Sequence, residues 1–385
     1  MMNIILVDDY KDWVSLLPLT FAKPIAALRI GILTISEKWI HYFPNSFVSF
    51  NTQQYLQRKY PLNLEDDSFF INSAFLPDID LVKAIQSLLP NQVLVKEDVA
   101  IAWRGNNINN NDYQLVIYNS EIQKLNYTWD LFKLNGLELR KDFLLLTQNR
   151  KSKPVTDPFT KVYCTENVFI EEGVVIKSAI LNAEEGPIYI GKNAHIHEGA
   201  IIKGAFALGE SSHINMGAKL RGDNTIGPHC KIGGELSNIV IQGYSNKAHD
   251  GFLGNSVIGE WCNLGADTNT SNLKNNYSEI ALYQYSNQST QQTGLQFCGL
   301  IMGDHSKSGI NTMFNTGTVV GFCANIFGAG FPPKFIPSFS WCDGNKLSVY
   351  ELDKALFTAQ KMFERRNIAF SDLDKDIFIQ LYNNK

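Results

Sequence analysis

The stretch IGKNAHIHEGAIIKGAFALGESSHINMGAKLRGDNTIGPHCKIGGELS, residues 190–237, decides the fold. In steps of six from Ile190 it places an aliphatic residue at every position: Ile196, Ile202, Leu208, Ile214, Leu220, Ile226 and Ile232. A period of six fits neither an α-helix nor a simple strand. It is typical of a hexapeptide solenoid, in which three hexads close one triangular coil of about 18 residues and the aliphatic residues point inward. Four residues after each aliphatic one stands mostly a small residue that suits a corner: Ala194, Ala200, Ser212, Ala218, Asn224 and Cys230, with Phe206 and Leu236 as exceptions.

The same period extends to both sides of this stretch. It begins faintly at Ile170 and Ile176 and is reset by an insertion at 182–187. We expect it to resume at Phe252, Ile258 and Leu264, and again at Met302, Ser308, Phe314, Val320 and Ile326. The largest departures from the period fall at 238–252 and 271–293. Breaks in a solenoid map to loops, and those loops often carry function.

The first 150 residues carry alternating strand and helix signals. Asn3–Val7 and Phe69–Asn72 are continuous apolar runs that predict buried strands, and Ile79–Leu89 has helical spacing. Gly31–Ile40 resembles a strand entering a helix, and Val93–Trp103 resembles a strand pair. This alternation favours an α/β domain with a mainly parallel sheet.

Linkers and caps suggest the domain boundaries. The polar segment at 151–158 contains two prolines and interrupts both patterns, so we predict an α/β domain at 1–150 and a β-helix at 151–345. A helical segment follows at 346–385, with capping boxes predicted at Ser348 and Ser371. We expect these helices to cover the open end of the solenoid.

Composition excludes several functional classes. With 44% hydrophobic and 19% charged residues, the 385-residue chain can build full cores. A net charge of −4 argues against a nucleic-acid binder. The six cysteines form no CxxC pair, so no zinc site of the usual spacing is predicted. Asp8 and Asp9 cut the first apolar run short, and no run is long enough to span a membrane, so we expect a reduced, cytoplasmic protein without membrane contact.

Two segments in the second half of the chain resemble a known family. They are Lys-Ala-His (247–249) with the following Val-Ile-Gly and Cys-Asn-Leu-Gly-Ala at 257–266, and Gly-Leu-Ile-Met-Gly-Asp-His-Ser-Lys-Ser-Gly-Ile-Asn at 299–311. They resemble the GlmU-like bifunctional family, which joins a sugar-1-phosphate nucleotidyltransferase to a left-handed β-helix acetyltransferase and makes UDP-N-acetylglucosamine. The resemblance implies acetyl transfer from acetyl-CoA to an amino-sugar 1-phosphate, and a homotrimer.

The resemblance also implies roles for individual residues. His249 matches the general base, for which an imidazole near neutral pKa is suited. Substrate contacts would come from Lys247, Phe252, Asn263, Asn272, Lys274, Arg221 and Lys231. Contacts to acetyl-CoA would come from Ser306, Lys307 and Asn311. Two positions depart from the family, since Phe252 replaces a tyrosine and Ser237 replaces a lysine.

The N-terminal half resembles the sugar nucleotidyltransferases more weakly. Its segment Pro-Leu-Thr-Phe-Ala-Lys-Pro (18–24) implies nucleotide contacts from Thr20, Lys23 and Arg29. The family's glycine-rich phosphate loop is absent, because Asp-Asp-Tyr-Lys-Asp-Trp follows the first strand at 8–13. Its metal-binding Gly-Asp is also absent, so a role for Mg²⁺ in this domain stays open.

Other interpretations remain open at this point. A loop histidine is often merely solvated, and we expect His195, His197, His213, His229 and His305 to be surface residues on coil turns. Asparagines are common at tight corners. His195 and His197, at alternate positions, suit a metal ion, but the sequence offers no third ligand. The chain could also be a nucleotidyltransferase whose β-helix serves only to trimerise, or a non-catalytic protein that binds sugar nucleotides.

Overall fold

The computed structural model describes residues 2–107, 109 and 112–385. The chain forms two compact units. The first comprises Met1–Leu16, Ala22–Leu28 and Leu33–Tyr127. The second comprises Leu17–Phe21, Arg29–Ile32 and Thr128–Lys385.

The first unit is built on a six-stranded sheet with the order β2-β1-β3-β5-β4-β6. Its strands are β1 (Asn3–Val7), β2 (Phe47–Asn51), β3 (Ser68–Asn72), β4 (Gln92–Lys96), β5 (Val99–Gly105) and β6 (Gln114–Ile117). Its helices are α1 (Tyr10–Ser15), α2 (Ile35–Tyr42) and α3 (Ile79–Gln86), with a 3-10 turn at Ile25–Ala27. Strand β5 is antiparallel to both neighbours and the other pairs are parallel, which confirms the α/β prediction. The strand predicted near Gly31 is wrong, because Thr34 and Glu37 form a capping box that starts α2 directly.

The second unit is a left-handed parallel β-helix, as the hexads predict. Its first face contains β7 (Lys161–Tyr163), β10 (Ile180–Asn182), β13 (Ile201–Lys203), β16 (Lys219–Arg221), β23 (Asn269–Thr270) and β28 (Met313–Phe314). Its second face contains β8 (Val168–Ile170), β11 (Ile188–Ile190), β14 (Phe206–Leu208), β17 (Asn224–Ile226), β26 (Leu300–Met302), β29 (Thr318–Val320) and β31 (Phe335–Ile336). Its third face contains β9 (Val175–Ile176), β12 (His195–Ile196), β15 (His213–Ile214), β18 (Lys231–Ile232), β20 (Asn246–Lys247), β22 (Asn263–Leu264), β27 (Lys307–Ser308), β30 (Asn325–Phe327), β32 (Ser340–Asp343) and β33 (Lys346–Val349). Two longer strands, β19 (Glu235–Gly243) and β21 (Phe252–Glu260), pair with both the first and the second face.

The interior of the β-helix is the predicted apolar column. All eight aliphatic residues from Ile190 to Ile232 are at most 2% exposed. The small corner residues are buried beside them. The six cysteines all lie in the described part of the chain, and none of them forms a disulfide bond. The later members Met302, Ser308, Phe314, Val320 and Ile326 are buried as well, so the predicted hexad register is confirmed over these segments.

One coil is shorter than the repeat predicts. Leu208 pairs with Ile226, eighteen residues on, whereas Ile226 pairs with Ile241, fifteen residues on. The missing residues fall around β19, in which residues 235–237 pair with β16 and residues 240–241 pair with β17. Asn238, with a φ of 53°, turns the chain between the two halves. Leu236 is therefore an inward residue paired with Leu220, which explains its exception to the small-corner rule. The inward residue in the next coil is Leu253, so the prediction for Phe252 is wrong.

The long insertion leaves the coil as predicted and forms a hairpin. Strands β24 (Ala281–Gln284) and β25 (Ser289–Gln292) pair in antiparallel fashion. Tyr283 of this hairpin stacks on Phe335, with ring centroids 3.6 Å apart. The insertion is thereby anchored to the coil by aromatic packing.

Helices α4 (Asp130–Thr147), α5 (Leu352–Glu364) and α6 (Asp372–Asn383) complete the second unit, with a 3-10 turn at Thr165–Asn167. Ser371 forms the predicted capping box of α6. The box predicted at Ser348 is wrong, because Ser348 belongs to β33, which pairs with β32 and covers the edge of the third face. Helix α5 instead packs on a side of the coil, where Phe363 stacks on Trp261 at 4.0 Å.

Candidate acetyl-transfer site

His249 lies on the short turn between β20 and β21, and its side chain is exposed. The backbone of this turn is held by side chains at three successive carbonyl oxygens. Asn215 Nδ2 donates to the carbonyl of Ala248 at 2.8 Å. Lys247 Nζ donates to the carbonyls of His249 at 2.5 Å and Asp250 at 2.8 Å. An exposed imidazole therefore stands on a fixed backbone.

Two clefts meet at this turn. The first has a volume of about 750 Å³, with His249, Asp250 and Asp267 in its wall. Its other lining residues are His197, Asn215, Met216, Gly233, Gly234, Ala248 and Ala266. The second cleft has a volume of about 660 Å³. Among the residues that line the two clefts, His249 is the titratable side chain that borders both.

The second cleft is rich in positive charge. It is lined by Lys231 and Lys307 from the third face and by Arg365 and Arg366 from the end of α5. Its remaining lining residues are Tyr244, Asn246, Ala248, His249, Trp261, Asn263, Leu264, Gly265, Ala266, Ile310 and Met362. No carboxylate is among these described residues, so the cleft offers an environment that favours an anion.

Helix α5 reaches this cleft through specific contacts. Arg366 Nη2 donates to Asn246 Oδ1 at 3.2 Å, and the Phe363 ring covers Trp261. Lys307 Nζ donates to the carbonyl of His305 at 2.7 Å. Burial lowers the pKa of Lys307. The C-terminal segment, expected only as a cap, thus supplies two of the four cations.

Three further histidines cluster beside the first cleft. The ring of His213 stacks on His195 at 4.7 Å and lies 5.7 Å from His197. Burial lowers the pKa of His213, and the neighbouring His195, His197, Lys231 and Arg366 lower it further. The fold thus supplies a third histidine beside the pair noted in sequence. No group of three potential ligands in the described part of the chain is arranged to hold a metal ion.

The other histidines differ from the surface positions expected for them. His305 is 6% exposed, and its ring stacks on Trp261 and Phe363. His229 stacks on Tyr244 at 4.9 Å. The prediction of a surface position is therefore wrong for His305, because the C-terminal helices cover that corner.

The structure brings together some of the residues implied by the family resemblance. Lys231, Asn263 and Lys307 line the second cleft with His249. Lys247 is 1% exposed, and its ammonium lies beneath the His249 turn. Ser306 is fully buried, where its hydroxyl donates to the carbonyl of Gly321.

The remaining residues lie outside the lining of these two clefts. Arg221 forms an exposed ion pair with Glu235 at 3.1 Å. Asn272 Nδ2 donates to Asn255 Oδ1 at 2.8 Å, and Lys274 Nζ donates to the carbonyl of Glu279. Phe252 is half-buried on β21 and Asn311 is exposed at a turn.

The first unit has a separate cleft of about 350 Å³ at the carboxyl ends of β1 and β3. It is lined by Val7, Asp9, Lys11, Asp12, Asn72, Asp98, Val99, Ala100, Trp103 and Lys124. Asp9 caps α1 by accepting the backbone N–H of Lys11 at 2.9 Å and of Asp12 at 3.4 Å. Lys124 Nζ pairs with Asp12 at 2.6 Å. Two of the five charged side chains that line this cleft are thus paired with each other, and Asp9 is engaged by backbone N–H groups.

These contacts do not fit the Mg²⁺ that the family resemblance left open, since Asp9 and Asp12 are already engaged by backbone and lysine donors.

Of the residues implied to contact a nucleotide, Lys23 in the first unit is 2% exposed. Thr20 and Arg29 belong to the second unit, where Thr20 is buried and the Arg29 backbone exchanges hydrogen bonds with the Gln242 amide.

Comparisons with known proteins identify relatives of both units. A model of the sugar nucleotidyl transferase family matches residues 4–151. The bifunctional protein GlmU of Trichodesmium erythraeum is 37% identical over 86 residues, which cover 22% of this chain and 18% of that protein. The putative uncharacterized acetyltransferase YaiX of Escherichia coli is 30% identical over 162 residues, which cover 42% of this chain and 70% of YaiX. The chain belongs to the GlmU-like family.

The GlmU-like chain spans less than half the length of the GlmU relatives it matches. It also resembles the crystal structure of the polySia specific acetyltransferase NeuO. That match has 15% identity and a TM-score of 0.27, and it covers 54% of this chain and 96% of NeuO. In the described part of the chain, no helix has the length and apolar character needed to cross a bilayer.

Sequence reasoning on this GlmU-like chain missed Arg365 and Arg366. The available signal was the pair of adjacent arginines directly after the apolar face of α5, ending at Phe363. It was not decisive, because arginine at a helix C-terminus is favourable for the helix itself. Only the packing of α5 on the coil identifies the pair as part of a cleft.

Proposed function

We propose that this GlmU-like chain is an N-acetyltransferase that transfers acetyl from acetyl-CoA to the amino group of an amino-sugar 1-phosphate of the glucosamine 1-phosphate class. The observation that carries the proposal is the position of His249, exposed on a fixed turn at the junction of two clefts. Such a position lets one side chain act between a donor in one cleft and an acceptor in the other.

The reaction needs a base at this position. The amine nitrogen attacks the thioester carbonyl carbon, the C–N bond forms and the C–S bond breaks. His249 accepts the proton that the nitrogen loses and returns it to the departing thiolate of CoA. An imidazole can accept and release a proton at neutral pH, so histidine suits both steps.

The composition of the clefts supports an assignment of the two substrates. The second cleft, with Lys231, Lys307, Arg365 and Arg366, suits the phosphates of acetyl-CoA. The first cleft offers the carboxylates of Asp250 and Asp267, which suit an amino sugar through its ammonium and hydroxyl groups. Asn263 borders the second cleft beside His249 and is placed to orient groups that approach the imidazole.

The test is release of free thiol from acetyl-CoA in the presence of glucosamine 1-phosphate. We expect His249→Ala to lower kcat roughly 10²- to 10⁴-fold, the usual contribution of a general base. His41→Ala is the matched control, because His41 is an exposed histidine on α2 that lines neither cleft. Equal rates for wild type and His249→Ala would remove His249 as the base, and no release with any amino-sugar phosphate would reject acetyl transfer.

Two exposed apolar residues support the homotrimer that the family resemblance implies. Met216, in the wall of the first cleft, is 74% exposed, and Ile310, in the wall of the second, is 71% exposed. A second copy of the chain would cover apolar surface of this kind and enclose both clefts. Sedimentation equilibrium tests this, and a monomer at micromolar concentration would contradict it.

The second candidate is nucleotidyl transfer by the first unit, which the match at residues 4–151 favours. The cleft lies at the carboxyl ends of parallel strands, where ligands of α/β sheets commonly bind. Pyrophosphate release from UTP and N-acetylglucosamine 1-phosphate tests it. Binding of UDP-sugars in a thermal-shift assay without turnover would instead favour a unit that only binds sugar nucleotides.

A further inference from the structure

Lys247 occupies a position where the repeat otherwise places an aliphatic residue. On the third face, Ile214 pairs with Ile232, and Ile232 pairs with Lys247. Leu264 occupies the same column in the next coil, because Asn246 pairs with Asn263 one residue earlier. The exposed fractions are 0% for Ile232, 1% for Lys247 and 2% for Leu264, so the lysine is as deeply buried as its neighbours.

A buried lysine is unfavourable for the fold unless its ammonium is satisfied. An isoleucine or leucine would complete the apolar column without this desolvation penalty. The ammonium of Lys247 is satisfied by the carbonyl oxygens of His249 and Asp250. The contact that compensates the burial is therefore a contact to the His249 turn itself.

The surroundings of Lys247 are mostly apolar. Ile232 on β18 and Leu264 on β22 pack on either side of its strand, and the outward residues of those strands are Lys231 and Asn263. The carboxylates that face the ammonium are those of Asp250, on the turn, and Asp267, on the following coil. Burial lowers the pKa of Lys247 to about 8, and the two carboxylates offset part of that effect.

We propose that Lys247 is a positioning residue that clamps the backbone of the His249 turn and so fixes the imidazole between the two clefts. Asn215 assists from the neighbouring coil by holding the carbonyl of Ala248. The clamp is inferred from the two hydrogen bonds of the Lys247 ammonium, whereas its consequence for catalysis rests on the proposed acetyl transfer. In this role the lysine does not contact a substrate phosphate.

The clamp depends on protonation. The ammonium makes charge-assisted hydrogen bonds, which are about twice as strong as those of neutral donors. Above pH 8 the neutral amine keeps two hydrogens but loses this charge assistance. The turn should therefore loosen over the same range in which the lysine titrates.

The clamp can be tested without any activity. Selective labelling of the histidine carbonyl carbons gives seven signals, and the one lost in His249→Gln belongs to His249. We expect this carbonyl signal to move with a midpoint near pH 8 in wild type and in Lys219→Met, an exposed lysine on β16. We expect no such movement in Lys247→Met, which restores an apolar side chain to the column.

The kinetic test uses the same variants. In Lys247→Met we expect kcat to fall on the order of 10- to 100-fold, because small displacements of a catalytic group have effects of that size. The KM values should stay within about threefold of wild type, since only the base is displaced. The alkaline limb of the kcat profile near pH 8 should disappear as well.

The outcomes separate the two proposals. If wild type shows no acetyl transfer, the proposed function fails, and the carbonyl signal still decides the clamp. If that signal does not titrate near pH 8 in wild type, or titrates equally in Lys247→Met, the clamp is wrong. The wild-type titration does not depend on Lys247→Met, so it decides the question even if that variant does not fold.

Discussion

The charged side chains near the His249 turn of the β-helix and those in the loop after β1 of the first unit differ in the partners they have. In the β-helix, Lys231, Lys307, Arg365 and Arg366 gather around one cleft with no carboxylate among the residues that line it. In the first unit, Asp9 is bound by backbone N–H groups and Asp12 is paired with Lys124. The cations of the β-helix cleft have no counter-ion among the described residues of its lining, whereas Asp12 in the first unit is paired with Lys124.

This difference indicates which of the two units binds a charged substrate at the lower cost in free energy. A side chain that already has its partners must lose them before it binds a ligand, and that loss reduces the binding free energy. In the described part of the chain, His249 and the four cations of the second cleft form no ion pair, whereas Asp12 pairs with Lys124. The contrast favours acetyl transfer in the β-helix over nucleotidyl transfer in the first unit.

The largest effect is expected from removing the charge that α5 brings to the second cleft. In the double variant Arg365→Ala, Arg366→Ala we expect the KM for acetyl-CoA to rise roughly 10²- to 10⁴-fold, since two charge-assisted hydrogen bonds of about 1.5–3 kcal/mol each are lost. The KM of wild type should depend on the salt concentration, and measurement at two salt concentrations should show a weaker dependence in the double variant.

Two controls sharpen this prediction. Lys361→Ala removes a cation from the same helix, where it pairs with Glu364 and does not line the cleft. Acetyl-pantetheine lacks the nucleotide phosphates, so its KM should not change in the double variant. A KM that rises for the sugar phosphate instead of acetyl-CoA would exchange the assignment of the two clefts.

The regular part of the fold was predictable because its signal is local and repeated. Each inward residue from Ile190 to Ile232 packs in the same way, so eight positions give the same sequence signal. The shortened coil was not predictable in this way. Whether Leu236 points inward depends on its pairing with Leu220 one coil earlier, and the loss of three residues leaves no turn signal in the sequence.

The residues of the candidate site were likewise predictable only where their signal is local in the sequence. His249 could be selected from its motif, because the motif is contiguous. Arg366 could not, because its contact with Asn246 joins residues 120 positions apart. Lys247 was visible in sequence but was predicted as a substrate contact, since only the pairing with Ile232 reveals its place in the apolar column.

A smaller effect is expected from Asp8, the buried carboxyl group of the first unit. Its oxygens accept hydrogen bonds from Thr52 at 2.6 Å and from the backbone of Ile25, and burial raises its pKa to about 7. The folded state therefore binds more protons than the unfolded state between about pH 4 and pH 7. Its contribution to stability is complete below pH 4 and is lost as the pH rises through 7.

In Asp8→Asn we expect this pH dependence to flatten. At pH 8 the variant should be more stable than wild type by roughly 1–3 kcal/mol, because it no longer buries a carboxylate. Amide exchange of peptides from β1 and β3 reports on the first unit specifically. Asp66→Asn, at an exposed position, is the control, and parallel pH profiles for wild type and Asp8→Asn would contradict the prediction.

The smallest effect is expected from Asp9, whose carboxylate caps α1. Asp9→Ala should lower the free energy of unfolding of the first unit by about 1 kcal/mol, and Asp9→Ser should restore it, because serine caps a helix as well as aspartate does. If Asp9 acts only as a cap, Asp9→Ser should also leave any affinity for UTP unchanged. A loss of UTP binding in Asp9→Ser at unchanged stability would make Asp9 a ligand, and the first unit would then keep its charge available for substrate just as the β-helix does.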